Sequence, residues 1–231
     1  MKGALVTLEG LDGSGKATQA GLLERGFSAK GIALRRVSFP EYGEESSALA
    51  RMYLNGAFGD KPEDVNAYAA STFFAVDRYA SFRRRWGADY AAGRLILTDR
   101  YATSNIVYQM PKLPRGEWDA FIAWVEDFEY VRLGIPRPDL TIYLDMPTGI
   151  SQELLRRRYS RDGGRRDVHE RDLRYLESCG ESAAYAAQKL GWKVIPCAEN
   201  GRPRSVEAIH GELARLVVGK FFLSAGETGA D

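Results

Sequence analysis

The segment Gly10-Leu11-Asp12-Gly13-Ser14-Gly15-Lys16 constrains this chain more than any other, because of what lies on either side of it. Before it runs an apolar stretch, residues 4–9, that reads as a strand. After it begins an amphipathic stretch, residues 15–30, in which Leu23 and Phe27 fall one helical turn apart and Gly31 makes a C-cap. A G-x-x-x-x-G-K segment between strand and helix turns backbone N–H groups inward around phosphate oxygens, and the helix N-terminus adds a favourable dipole. Lys16 supplies a point charge for β- and γ-phosphates. Gly10, Leu11, Asp12, Gly13, Ser14, Gly15, Lys16, Ala17 and Thr18 are therefore expected to hold the phosphates of a nucleotide. The alternative is a glycine-rich turn without a ligand, which fits poorly with strand, spacing, lysine and helix together.

Beyond the loop, short apolar runs alternate with longer helical stretches, the pattern of a parallel sheet covered on both faces. Strands are predicted at residues 4–9, 33–37, 95–98, 140–144 and 193–196, and helices at 15–30, 62–85, 118–132, 151–158, 172–190 and 206–218. Leu95-Ile96-Leu97 has the continuous hydrophobicity of a strand buried on both sides. Ligands of such sheets gather at the carboxyl ends of the strands. Polar residues stand there: the phosphate loop after the first strand, Ser38-Phe39-Pro40-Glu41 after the second, Asp99-Arg100-Tyr101 after the third and Asp145 after the fourth. Residues 1–223 read as one domain, and 224–231, lacking apolar anchors, as a disordered tail.

Composition removes several classes. A net charge of +1 lacks the basic excess that non-specific nucleic-acid binding needs, so no nucleic-acid partner is expected. Two histidines, His169 and His210, exclude a histidine-rich metal site, and the distant Cys179 and Cys197 read as inert, reduced, partly buried thiols. With no signal-peptide pattern and no apolar run near the ~18 residues of a membrane span, a cytoplasmic location without a membrane partner is expected.

Magnesium is the expected ion. The last loop position normally carries Ser or Thr as a ligand, and Ala17 has no oxygen to offer. Mg²⁺ is then expected on nucleotide phosphates, water and a nearby carboxylate, with the Thr18 hydroxyl on the α-phosphate. Asp99 ends an apolar run and is the preferred carboxylate, and Asp145 ends a second such run. Arg100 presents a planar fork that matches a phosphate, a structural salt-bridged arginine being the alternative. Arg78 lies four residues from Phe74, on one helical face. On its own, Phe74 reads most simply as core packing beside Phe73.

The run Gly10 to Gln19, the pair Phe39-Pro40, Phe74-Ala75-Val76-Asp77-Arg78, Asp99-Arg100-Tyr101, and Pro138-Asp139-Leu140 through Leu144-Asp145 stand in an order and spacing that resemble thymidylate kinase. The resemblance spans residues 3 to 220. It implies an α/β, three-layer P-loop kinase fold: a five-stranded parallel sheet, helices on both faces and a mobile lid at residues 156–169. It implies transfer of the ATP γ-phosphoryl group to dTMP, giving dTDP in dTTP synthesis, and a homodimer with helices 62–82 and 118–131 as interface candidates. By similarity Phe74 stacks on thymine and Arg78 donates to a base carbonyl. Arg100 clamps the acceptor phosphate, Tyr101 closes against the 2′ face of the deoxyribose, and Phe39, Ser104, Tyr108 and Gln109 complete the substrate pocket. Asp12 is placed by the same similarity on the acceptor phosphate, through Mg²⁺ or water, or on Arg100.

Arg156, Arg157, Arg158, Arg161, Arg165 and Arg166 surround Gly163-Gly164. Charge runs are usually solvated helix ends. After the fourth strand of a monophosphate kinase, this one resembles a lid that carries positive charge to the transferring phosphoryl group on closure. Gly13 stands where some thymidylate kinases have a loop arginine, so the lid is expected to supply it. Arg158 and Arg161 are the first choices, acting with Lys16, Asp12 and Arg100. Asp167, His169 and Glu170 resemble the post-lid segment, with His169 structural because the acceptor phosphate is already anionic at neutral pH. The adenine is expected near the turn Glu199-Asn200-Gly201-Arg202. Other readings are another deoxynucleotide kinase, a deoxynucleoside kinase, a GTP-driven switch and a catalytically silent relative. The deoxynucleoside kinase would carry Glu-Arg-Ser where this chain has Asp-Arg-Tyr. The switch would need Asn-Lys-x-Asp, and no asparagine here precedes lysine. Ala17 is what keeps the silent relative open.

Overall fold

The chain runs β1 (Ala4–Glu9), α1 (Lys16–Ala29), β2 (Leu34–Ser38), α2 (Ala48–Leu54), α3 (Ala67–Ser81), α4 (Gly87–Ala91), β3 (Leu95–Asp99), α5 (Thr103–Gln109), α6 (Trp118–Glu126), β4 (Leu140–Asp145), α7 (Thr148–Asp162), α8 (Leu173–Leu190), β5 (Lys193–Pro196), β6 (Ala198–Glu199), β7 (Arg202–Pro203) and α9 (Val206–Phe221). The computed structural model describes residues 2–162 and 167–222, without the side chains of 161 and 162. The predicted tail at 224–231 lies outside the described residues.

Strands β1 to β5 form one parallel sheet in the order β2-β3-β1-β4-β5. β1 is central, with Leu8 opposite Asp99 on β3 and Glu9 opposite Tyr143 on β4. Its alternating residues go to opposite faces. Val6 and Leu8 join Leu23 and Phe27 of α1 and Leu213 and Val217 of α9 in one core. Leu5 joins Ile96, Trp86, Tyr101 and Ile135 in the other. Each fully buried side chain of this kind contributes about 1.5–3 kcal/mol, so both faces are held and the strand ends between them are fixed.

The long helix predicted at 62–85 is built differently. Residues Pro62–Asp64 form a single 3₁₀ turn, and α3 starts only after Asn66, whose side chain accepts the Ala69 N–H at 2.9 Å. Wider π-helical turns follow α3 at Phe82–Trp86 and α6 at Asp127–Arg132. In the second of these, Glu129 is fully buried while Val131 is 70% exposed. The helices α2 and α5 and the hairpin β6–β7 were not foreseen. Asn200 and Gly201 take left-handed φ values of 51° and 71° at the tip of that hairpin, a geometry suited to a two-residue turn. Both cysteines are free and buried. Among the described residues no helix is long and apolar enough to cross a membrane.

Candidate active site at the carboxyl ends of the strands

The loop after β1 is shaped by close contacts that only glycine tolerates. Gly13 has φ +85°, and a Cβ there would stand 2.5 Å from the Ser151 carbonyl oxygen and 3.0 Å from Leu155 Cγ of α7. A loop arginine at this position is therefore excluded by the backbone of α7. Lys16 Nζ donates to Gly10 O at 2.8 Å and Leu11 O at 3.0 Å. Burial and the neighbouring Arg100 lower the Lys16 pKa, against the pull of Asp12, Asp99 and Glu9. Ala17 and Thr18 are exposed at the helix start.

Opposite the loop stands Arg100, a non-glycine residue at φ 67°. Such a conformation costs about 1 kcal/mol and persists only when its surroundings hold it. Here they do: Arg100 N–H donates to Leu8 O at 3.0 Å and Tyr101 N–H to Glu9 Oε1 at 3.1 Å. Glu9 is fully buried, and its oxygens also accept from Thr103 Oγ1 at 2.6 Å and Ser104 Oγ at 2.8 Å. Arg100 Nη2 donates to Asp12 Oδ1 at 2.5 Å and to the Tyr108 hydroxyl at 3.1 Å, with the guanidinium 4.8 Å over the Tyr108 ring. Tyr108 in turn donates to Asp12 Oδ2 at 3.0 Å. Burial alone would raise the Asp12 pKa, but Arg100 and Lys16 outweigh it and hold the carboxyl well below the usual range. Asp12 therefore meets Arg100, one of its two expected partners.

From this charged corner a cleft of about 490 Å³, open to solvent, leads to α3. Phe39, Phe74, Arg78, Arg100, Ser104, Tyr108 and Gln109 all line it, as does Asp12. Tyr101 does not. Its ring is fully buried among Phe39, Trp86 and Tyr130, and its hydroxyl donates to Pro136 O at 2.9 Å, so it braces the floor and cannot face a sugar. Asp77 holds the cleft's rim, accepting from Glu41 N–H at 2.8 Å and Ser46 Oγ at 2.6 Å. Arg78 is 1% exposed and locked to Glu129 of the second π-turn, Nε donating to Oε2 at 2.9 Å and Nη2 to Oε1. Burial disfavours its charge, yet Glu129 more than restores it. Gln109 Oε1 is buried with no hydrogen-bond partner. Asn105 and Glu129 were missed by sequence reasoning.

Residues Asp167, His169 and Glu170 close the remaining wall. Asp167 Oδ1 accepts the N–H groups of His169 and Glu170, both at 2.9 Å. His169 stacks between Tyr108 and Tyr175, and its Nε2 lies 2.8 Å from the Tyr53 hydroxyl. Burial pushes its pKa down to about 3, so the ring is neutral and structural. In α7, Arg156 and Arg157 pair with Glu153. Arg158 is exposed beside Tyr159, whose hydroxyl donates to Glu170 Oε2 at 2.5 Å. The side chain of Arg161 and residues 163–166, Arg165 and Arg166 among them, lie outside the described residues.

Asp99 is 7% exposed at the end of β3, and its carboxylate has no hydrogen-bond or ion-pair partner among the described residues. No cluster of three or more metal-ligating side chains occurs among those residues. That donor set suits an ion held mainly by phosphate oxygens and water with one carboxylate, the habit of Mg²⁺.

The family model for thymidylate kinase matches residues 8–209. The thymidylate kinase of Mycobacterium tuberculosis (strain H37Rv) is 36% identical over 196 residues, covering 83% of this chain and 90% of its own. The probable thymidylate kinase of Pyrobaculum aerophilum is 30% identical over 215 residues, covering 93% and 98% respectively. The solved structure of the Candida albicans thymidylate kinase superposes with a TM-score of 0.69 at 20% identity, over 94% of this chain and 92% of that one, which is a likeness of fold.

Proposed function

The chain belongs to the thymidylate kinase family, a phosphotransferase carrying the γ-phosphoryl group of ATP to dTMP, and we propose that it does so by bringing the two nucleotides end to end along the carboxyl edge of its sheet. Residues 1–223 act as one kinase domain, with residues 156–169 as its lid. Lys16 and the loop amides hold the donor phosphates, Arg100 holds the acceptor phosphate, and an acceptor oxygen bonds to the γ-phosphorus as the bond to the β-phosphate oxygen breaks. Because that oxygen is already anionic, positioning and charge neutralisation suffice. The observation that carries this reading is one continuous cleft that begins at the Asp12–Arg100–Tyr108 corner beside the phosphate loop and ends against Phe74 and Arg78.

In that cleft Phe74 offers its face to the thymine ring. Arg78 Nη1 has no partner among the described residues and is the donor for a base carbonyl. Gln109 Oε1, a buried acceptor without a donor, suits the base N3–H. Asp12 orients Arg100, and Arg158 or Arg161 brings positive charge from the lid. Asp99 is the residue that would hold Mg²⁺, chiefly through water, and the ion when bound neutralises charge on the donor phosphates. A homodimer and a cytoplasmic location belong to the same reading. Exposed Leu49 and Met52 on α2 and Val76 and Tyr79 on α3 support the dimer. The test is an acceptor screen with ATP and Mg²⁺. Stoichiometric ADP and dTDP from dTMP, with none from thymidine, is the expected result, and efficient phosphorylation of thymidine would contradict it.

A further inference from the structure

The ion pair between α3 and the second π-turn bears on how the cleft sorts the two ends of its acceptor. Arg78 is 1% exposed and Glu129 is fully buried. The carboxylate meets the guanidinium along its Nε–Nη2 edge, and Asn105 Nδ2 adds a further hydrogen bond to Glu129 Oε1 at 2.9 Å while also donating to Ser71 O at 3.2 Å. Glu129 is thus held from two sides, and it sits in a π-helical turn, a device common at functional sites, that turns this acid inward while Val131 and Arg132 beside it face solvent.

Two arginine forks line one cleft, and either matches a phosphate. Their environments differ. Arg100 has Lys16 beside it and the carboxyl groups of Asp12, Asp99 and Glu9 around it, but it touches Asp12 through a single nitrogen, so most of its fork stays open to an anion. On the wall built by α3 and α5, Asn105 and Gln109 are neutral, the Asp77 carboxylate is taken up by Glu41 N–H and Ser46 Oγ, and Glu129 pairs with the charge of Arg78. We propose that Glu129 is a positioning residue that neutralises Arg78 and fixes its fork edge-on, so that this arginine reads a neutral base and does not capture the acceptor phosphate. The proposal rests on the reading that Arg78 meets the base.

Steady-state rates with dTMP varied against inorganic phosphate test it in the full chain. In Glu129→Gln, which keeps the shape and removes the charge, phosphate is expected to compete with dTMP roughly tenfold more strongly than in the unaltered enzyme, about the worth of one charge-assisted hydrogen bond. KM for dTMP rises and kcat at saturating dTMP changes little. Unchanged phosphate inhibition would overturn the proposal, since a purely structural glutamate would not move it. Glu129→Asp retains the charge one methylene short. It is expected to keep the original phosphate sensitivity even if KM rises, and stronger inhibition there would overturn the proposal even if the glutamine variant does not fold. The double variant Arg78→Met with Glu129→Leu removes both charges, and an unchanged KM for dTMP in it would sink the base reading itself, independently of the phosphate arm.

Discussion

Arg100 and His169 show how far single residues here depend on neighbours distant in sequence. The left-handed backbone of Arg100 is held by Leu8 and Glu9 from the adjacent strand, and its side chain by Asp12 and Tyr108. His169 is kept neutral by burial, with Lys112 opposing its charge as well and its pKa pushed down to about 3. A free histidine titrates near 6.5. Between pH 6.5 and 3 the unfolded chain therefore binds a proton that the folded chain does not, and stability present above pH 6.5 is lost as pH falls, by about 1.4 kcal/mol per unit. Asp167, its carboxyl pushed up to about 7 by burial beside Asp12 and Glu170, acts with the opposite sign over much of that window, so the comparison has to be between variants. His169→Gln should remove about one proton from the slope of stability between pH 6.5 and 4.5, read by denaturant melts, and equal slopes would contradict the burial argument. Asp12, Phe39 and Arg100 were legible because they stand in short polar motifs at strand ends, whereas Phe74, Arg78, Ser104, Tyr108 and Gln109 lie on the helices α3 and α5 and were reached through the family resemblance. Tyr101 was misassigned because its motif fixes its backbone position but not the side to which its ring turns, and the aromatic core on that side is assembled from Phe39, Trp86 and Tyr130. Glu129 was illegible for a related reason: its partner lies 51 residues away, and an acid in an amphipathic stretch reads as solvated.

The elements differ in how strongly the sequence announces them. All five long strands were found to within one residue, since buried parallel strands are continuous apolar runs. The seven-residue helices α2 and α5 are too short to display a helical period, and the π-turns break the register that periodicity relies on. α7 is anchored at one end and open at the other. Its first turns pack on the glycine-rich loop at Gly13, so its base is fixed there while Arg158 extends beyond it, exposed. Arg158→Ala is expected to lower kcat on the order of 10³-fold if it is the residue that meets the transferring phosphoryl group. Little change in stability or in KM for dTMP should accompany the loss. A near-normal kcat would remove Arg158 from that role and pass it to the other arginines of the run, Arg161 first.

At the scale of the whole molecule, the strand order β2-β3-β1-β4-β5 sets the phosphate loop of β1 between Arg100 at the end of β3 and Asp145 at the end of β4. The glycine-rich loop and Arg100 are thus neighbours by topology, and α3 and α5 build the wall of the cleft that leads away from them, which the proposed function makes the acceptor side. The apolar residues left exposed on α2 and α3 are expected to be covered in a homodimer. Sedimentation should give twice the mass of one chain, with Val76→Glu shifting the protein toward monomer, whereas a single-chain mass for the unaltered protein would refute the dimer. The central claim is that Arg100 grips the phosphate of the acceptor. Calorimetric titration of dTMP and thymidine into the unaltered enzyme and into Arg100→Met measures this directly. The account predicts that the preference for dTMP over thymidine falls by about 10- to 100-fold in the variant, the worth of a bidentate charge-assisted contact, while thymidine binding stays nearly constant. An undiminished preference for dTMP in Arg100→Met would contradict it.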